Sequence, residues 1–391
     1  MALTWLTYNG STVGLTSHAG YGLGFDATPQ PTPRPIAGDG IIRFQFGDTA
    51  IDVATLDSIK SGSGYWTPVI DIDTGDPIPG LWDFTYDRSK SYFRDNFPNG
   101  ITYATVGSAE LVDIKDTISS QTYNAYWDHA FDSDTALTKA NVTQLTISQS
   151  NTSTIYMFAN CTNLLDAHIE CGAAKTERIF DGCNNLSTLY ISVQRGLYPN
   201  PFYRCTSLRE LTIETTDASS GWFFGDDNHT TLSPCENSIQ EITLIHPDTA
   251  TMILVGGPGI SRDEQLLFDG CAYLRHVTYV KRITDHSSPR YGELDADRMP
   301  ITSNGDIQCM FRGCASLEAI PPLVLRVAVG NVNYMFYECR KVRSGISAAY
   351  DVLLAANPGQ HHQTFTNCGV DTQQGLAELQ TIPTSWGGLA V

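Results

Sequence analysis

Basic residues are scarce in this chain of 391 residues: 24 Lys and Arg stand against 42 Asp and Glu, a net charge of -18. That sign repels phosphate backbones and anionic membrane faces, which excludes nucleic acid as a partner. No apolar run approaches the length of a membrane span, which excludes membrane insertion through a helix. Charged residues make up only 17% of the chain and hydrophobic ones 41%, so it is neither a disordered polyelectrolyte nor a coiled coil and can bury a core. The opening stretch, Met1 to Gly10, lacks the basic and apolar regions of a secretory leader. Close cysteine pairs are lacking as well: no C-x-x-C occurs, and with it go the common zinc and redox motifs.

Catalytic constellations are equally sparse. The chain has no G-x-S-x-G, no H-E-x-x-H and no P-loop, and Gly20-Tyr21-Gly22-Leu23-Gly24-Phe25 only imitates a dinucleotide-binding turn. Asp71-Ile72-Asp73-Thr74-Gly75-Asp76 alternates carboxylates, but its glycine comes one residue early for a calcium loop and Trp82 stands where the bidentate glutamate belongs, so it reads as a turn. His361 and His362 are adjacent and read as part of a solvated loop. No catalytic residue, metal site or cofactor is assigned, and an enzyme is not expected.

What the chain does have is a recurring phrase. Its ten cysteines lie between Cys161 and Cys368, and seven follow a phenylalanine by three residues: Phe158 and Cys161, Phe180 and Cys183, Phe202 and Cys205, Phe268 and Cys271, Phe311 and Cys314, Phe336 and Cys339, Phe365 and Cys368. Apolar residues recur at the third, sixth and eighth positions after the cysteine, as in Leu186, Leu189 and Ile191 or Leu208, Leu211 and Ile213. Cys161, Cys183 and Cys205 are 22 residues apart, a period typical of one strand plus one return segment. One such unit cannot bury its apolar face; stacked units can, with the thiols as small buried hydrophobes beside a phenylalanine ladder. The fold class expected is an α/β or β-rich solenoid. Phe131, Asp134 and Leu137 fit the same offsets with aspartate in the cysteine slot, so the array starts before the first thiol.

The phrases Met157-Phe158-Ala159-Asn160-Cys161, Met310-Phe311-Arg312-Gly313-Cys314 and Met335-Phe336-Tyr337-Glu338-Cys339 resemble the BspA-like branch of the leucine-rich repeat family. The resemblance covers residues 120 to 391 directly, and Ile41 to Tyr86 is similar to the segment that often precedes such repeats. Proteins of this type are surface adhesins of gut and oral bacteria and virion proteins of the phages that infect them, so the resemblance implies adhesion, not catalysis.

Three regions follow. Residues 1 to 35 form an extended arm ending in the Pro-rich spacer Thr28 to Pro35; its aromatics Trp5, Tyr21 and Phe25 suit anchoring to a partner or trimerisation, and a loose terminus has the same composition. Residues 36 to 120 form a small mixed cap domain. Residues 121 to 391 form the irregular leucine-rich repeat array, with insertions at 215 to 235 and 281 to 306, a helix over Ile346 to Ala356, and a C-terminal cap in which Trp386 packs.

In each strand the fifth, seventh and ninth positions after the cysteine slot point away from the core. They assemble a candidate ligand-binding concave face from Asp166, His168 and Glu170; Thr188, Tyr190 and Ser192; Glu210, Thr212 and Glu214; Glu241 and Thr243; and His276 and Thr278. This face is acidic and hydroxyl-rich with one exposed tyrosine, Tyr190. It suits hydrogen bonding to carbohydrate or peptide, although a plain solvated sheet has the same composition. The function expected is a phage virion structural protein, a head or tail fibre or decoration. It would attach to other virion proteins through the arm, trimerise, and present the array to a host-surface or mucus glycan or protein receptor. The alternative is a bacterial cell-surface adhesin.

Overall fold

The computed structural model describes residues 4–8, 11–17, 23–25, 41–47, 51–86, 93–97, 101, 109–114, 127–145, 154–171, 176–193, 201–215, 238–249, 268–301, 307–325 and 329–390. The molecule is rich in sheet and poor in helix. Strands β1 (Thr4–Tyr8), β2 (Ser11–Ser17) and β3 (Leu23–Phe25) pair antiparallel in a small sheet of their own, within the segment expected to form an extended arm. The spacer at 28 to 35 lies outside the described residues.

Next come β4 (Ile42–Gln45), α1 (Val53–Ile59), β5 (Tyr65–Ile70), β6 (Pro77–Thr85), α2 (Phe93–Asn96) and β7 (Ala109–Ile114). Then follow β8 (Leu137–Leu145), β9 (Asp166–Cys171), β10 (Thr188–Val193), β11 (Glu210–Thr215), β12 (Glu241–Pro247) and β13 (His276–Arg282). Strand β14 (Leu294–Ala296) turns back antiparallel on β13, and β15 (Met299–Ile301) pairs parallel with β16 (Leu323–Leu325). Helices α3 (Ile346–Ala356) and α4 (Gln373–Leu379) come last.

Strands β4 to β14 make a single 11-stranded sheet, ordered β14-β13-β12-β11-β10-β9-β8-β7-β4-β6-β5 and parallel from β7 to β13. The residues expected to form the cap domain share one sheet with those that follow. Ile42, Phe44, Phe84 and Phe93 belong to the same apolar core as Phe131 and Phe158. Among the described residues no helix is long and apolar enough to cross a membrane.

Two hydrogen-bonded ladders enclose the core from β7 to β13. The sheet is one. The other runs along the return segments, where the amide of each ladder phenylalanine donates to a carbonyl of the next rung: Phe158 to Ile179, Phe180 to Pro201, Phe311 to Met335 and Phe336 to Thr364, at 2.9–3.0 Å. The backbone reaches this geometry by entering the left-handed region twice per turn, two residues before the phenylalanine and one before the cysteine slot, as at Tyr156 and Asn160, Tyr334 and Glu338, or Gln363 and Asn367. Between the ladders the rings stack near-parallel: Phe131 on Phe158 at 5.2 Å, Phe158 on Phe180 at 5.6 Å, Phe311 on Phe336 at 5.3 Å and Phe336 on Phe365 at 5.5 Å. Each buried ring contributes about 2–3 kcal/mol of transfer free energy.

The thiols do more than fill space. Sγ of Cys161, Cys183, Cys205, Cys314 and Cys339 donates to the carbonyl of the phenylalanine one rung earlier, Phe131, Phe158, Phe180, Phe268 and Phe311, at 2.9–3.2 Å. That carbonyl sits in a dry core, where a second donor lowers its desolvation cost. Burial pushes the Cys161, Cys314, Cys339 and Cys368 thiols up, away from the reactive thiolate.

The exception at Asp134 has a physical reason. Beneath the first rung lies the amide of Ile101, a donor instead of a carbonyl, and the fully buried Asp134 carboxylate accepts from Ile101 at 2.8 Å and from Ala136 at 3.1 Å. At the other end the amide of Phe365 donates to the carbonyl of Trp386, whose buried ring lies on His361 at 4.3 Å and edge-on to Tyr350.

Past β13 the phenylalanine ladder continues but the long sheet ends. Pro321 and Pro322 follow Ile320, and among the described residues only the short β15–β16 pair and single bridges such as Ala319 to Ser344 remain. The segment 281 to 306 is thus not simply an inserted loop, because it holds the end of β13, all of β14 and all of β15. Asp71 closes the β5–β6 hairpin as an Asx turn, its side chain accepting from Asp73 and Thr74.

Two measurements test this construction. Cys161, Cys183, Cys205, Cys271, Cys314, Cys339 and Cys368 should resist alkylation in the native protein and react together on unfolding, read by mass spectrometry of labelled peptides. Replacing Asp134 by Cys should lower stability by about 1–3 kcal/mol in urea titrations, because the Ile101 amide is left without its acceptor.

Candidate functional site

The parallel register places the side chains of the outward face in three rows. Asp166, Thr188, Glu210, Glu241 and His276 are aligned across β9 to β13 in the first row; His168, Tyr190, Thr212, Thr243 and Thr278 form the second. Glu170, Ser192 and Glu214 start the third, which Ile245 and Val280 continue. The face is thus polar at its first two rows and half apolar at its third.

The third row is not solvated in the manner the alternation implies. Ser192 and Glu214 are each only 6% exposed. Glu214 accepts from the Tyr190 hydroxyl and takes a two-pronged contact from Arg282, whose Nη1 also donates to the Gly292 carbonyl at 3.0 Å. Arg282 reaches Glu214 of β11 from β13, across the intervening β12, so the fold-back of β14 and the centre of the face are fastened by one charge pair. Tyr190, read as an exposed tyrosine, is partly buried: its ring lies flat on His168 at 4.2 Å, and burial together with the Glu214 carboxylate pushes its hydroxyl well up from the ordinary phenol range. His168 in turn sits 3.1 Å from a Glu170 oxygen. The reason is tertiary: nothing in the 22-residue period brings Arg282 over the third row.

The first row is the acidic one. Burial pushes up the Asp166 carboxyl, against the opposing pull of Lys139 and His168. Burial, with the carboxylates of Glu241 and Asp166 nearby, does the same for Glu210. Glu210 and Glu241 face each other across paired strands, an arrangement that destabilises like charges. His276 offsets it: Nδ1 lies 2.9 Å from both Glu241 oxygens and Nε2 3.7 Å from Glu318, which also takes Arg275 at 2.6 Å. These carboxylates and cations pair rung to rung, and Thr212, Thr243 and Thr278 line the row between.

Of the anchoring aromatics, Trp5 lies in β1 and Phe25 in β3, while Tyr21 falls outside the described residues, as do the loop aromatics Trp222, Phe223 and Phe224. The ladder phenylalanines and cysteines from Phe158 to Cys368 are all buried within the core and present nothing to solvent.

Arg282, Arg275 and Glu318 are missed by sequence reasoning because they lie beyond the strand offsets. So is His246, buried in β12 with Nε2 3.1 Å from Asp297 and its ring 4.8 Å from Tyr279. Among the described residues no group of three or more His, Cys, Asp or Glu is disposed to hold a metal ion. No family model, no curated protein and no solved structure matches the chain.

The His276 clamp carries a pH prediction. The Glu241 hydrogen bond holds the His276 imidazole above its ordinary 6.5. Its contribution is therefore complete below that value and is lost as pH rises through the raised folded value. Wild type should lose Tm relative to His276→Gln between about pH 5.5 and about pH 8 in thermal melts, by a modest margin because the groups are nearly half exposed.

Proposed function

We propose that the chain is a non-enzymatic structural component of a phage virion, a fibre or decoration of head or tail, whose sheet-rich body is a BspA-like leucine-rich repeat array displayed outward for contact with host, glycan or neighbouring subunits. The observation that carries this reading is how the side chains are employed. The phrase Phe-x-x-Cys recurs at successive rungs of one stack, and its residues are used for cohesion. On the outward face, Glu214, Arg282, Glu241, His276 and Glu318 are tied in pairs from rung to rung rather than gathered around a reacting atom. Such a body offers a long rigid surface for recognition and gives chemistry no focus.

On this reading the N-terminal residues, with Trp5, Tyr21 and Phe25, attach to other virion proteins, the assembled form is a homotrimer, and the protein resides on the virion surface. A bacterial surface adhesin is the competing assignment, and it rests on the same repeat resemblance.

Mass spectrometry of density-purified particles and of washed cell envelopes from the source culture separates the two. Peptides of this chain at stoichiometric levels in particles are the expected result; enrichment in envelopes with particles empty would overturn the virion assignment.

A further inference from the structure

A column of planar groups runs along the return side of the stack, outside the phenylalanine ladder. His129 lies on Tyr156 at 5.0 Å with their planes 12° apart. The Arg178 guanidinium sits 6.0 Å from the Tyr156 ring centre and 5.0 Å from that of Tyr203, and Arg204 adds a second guanidinium 5.5 Å from Tyr203. The column is built, not incidental. His129, Tyr156 and Arg178 each occupy the left-handed position two residues before a ladder phenylalanine, which aims them outward one rung apart. Gly182 leaves the room: a Cβ there would lie 2.7 Å from the Asn160 Oδ1 and 3.3 Å from Arg204 Nη2, at a backbone φ of +78°.

The charges on the column are unequally satisfied. Asp181, buried, is gripped by Arg204 through Nε at 2.8 Å and Nη2 at 2.7 Å. Arg178 reaches the same carboxylate only through Nη1 at 3.4 Å. Two guanidinium groups thus share one carboxylate. Arg178, beside the rings of Tyr156 and Tyr203, spends a single long contact on Asp181. Arg178 and Tyr203 remain 35% and 40% exposed, and Arg204 53%. Among the described residues, the other carboxylates close by are Glu177, beside Arg178 in the chain, and Asp132, which is engaged by His129 at 2.7 Å and by Asn160 at 3.2 Å.

We propose that Arg178, between Tyr156 and Tyr203, is the centre of a binding site for a sugar carboxylate, the hexuronate terminus of an otherwise neutral oligosaccharide. A guanidinium that gives Asp181 one long contact and stays 35% exposed has donors left to take a carboxylate in two-pronged geometry, and the tyrosine rings beside it suit the apolar face of a sugar. A peptide carboxylate fits less well. Peptides dock by adding a strand or filling a groove, whereas the backbone here is already bonded rung to rung, with Phe158 donating to Ile179, Phe180 to Pro201 and Gly182 to Tyr203. The chain's net charge of -18 disfavours a polyanion and leaves a ligand with a single acidic group. This inference deepens the display function proposed above and rests on it for its biological setting, but its chemistry is tested separately.

The test is titration calorimetry of the full chain with a neutral oligosaccharide bearing one terminal glucuronate, with the methyl ester of the same sugar, and with a short glutamate peptide. The expected result is binding of the free acid, weakened about tenfold in the ester and in Arg178→Gln, with the Tm of the variant unchanged and partial recovery in Arg178→Lys. If Arg178→Gln lowers Tm, Arg178→Lys alone decides: weakened binding at wild-type Tm supports the site, unchanged binding refutes it. Equal binding of acid and ester, binding of acid that ignores Arg178, no binding at millimolar sugar, or binding of the peptide in place of the sugar would each overturn the proposal. None of those outcomes bears on whether the chain is found in particles.

Discussion

The carbonyl of the ladder phenylalanine is the point on which the rest of the structure depends. It lies in a dry core, it accepts the amide of the cysteine three residues on, and at five of the described rungs it accepts the thiol of the following rung as well. A buried carbonyl has two lone pairs to satisfy, and the pattern supplies a donor for each. This explains why the slot holds cysteine and not alanine or serine. Alanine has no donor, and a serine hydroxyl is more costly to bury when its own lone pairs find no partner.

The same requirement organises the ends. Where the stack begins, the neighbour presents an amide, and the slot changes to a carboxylate, Asp134. Where it ends, the chain turns back so that the carbonyl of Trp386 receives the last phenylalanine amide and its ring covers the exposed edge of the core. Both are local answers to one problem: an end rung has a ladder partner on one side only.

The outward face follows a different logic. Alternation sets which side chains point outward, but tertiary contacts set how wet they are. Ser192 and Glu214 are withdrawn from solvent, Glu214 by its contacts with Arg282 and Tyr190, and the acidic first row is offset by His276 and Arg275. The return side, by contrast, keeps a column of aromatic and guanidinium groups in which Arg178 stays partly exposed.

The period of the stack, the inward set at the third, sixth and eighth positions, the turn at Asp71, and helix α3 are legible from the residues alone, because each depends on local spacing and backbone preference. The left-handed positions were legible in part. Asn160, Gly182, Gly270, Gly313 and Asn367 precede the cysteine slot with residue types that favour that conformation, but Glu338 and Arg204 hide it. Only the tertiary structure decided that β7 joins the parallel sheet, that β14 folds back on β13, that the strands fade beyond Pro321, and that Glu214 is buried beneath Arg282. Those outcomes depend on residues 68 positions apart meeting across strands, and on which neighbour each edge finds, and neither is a property of local spacing.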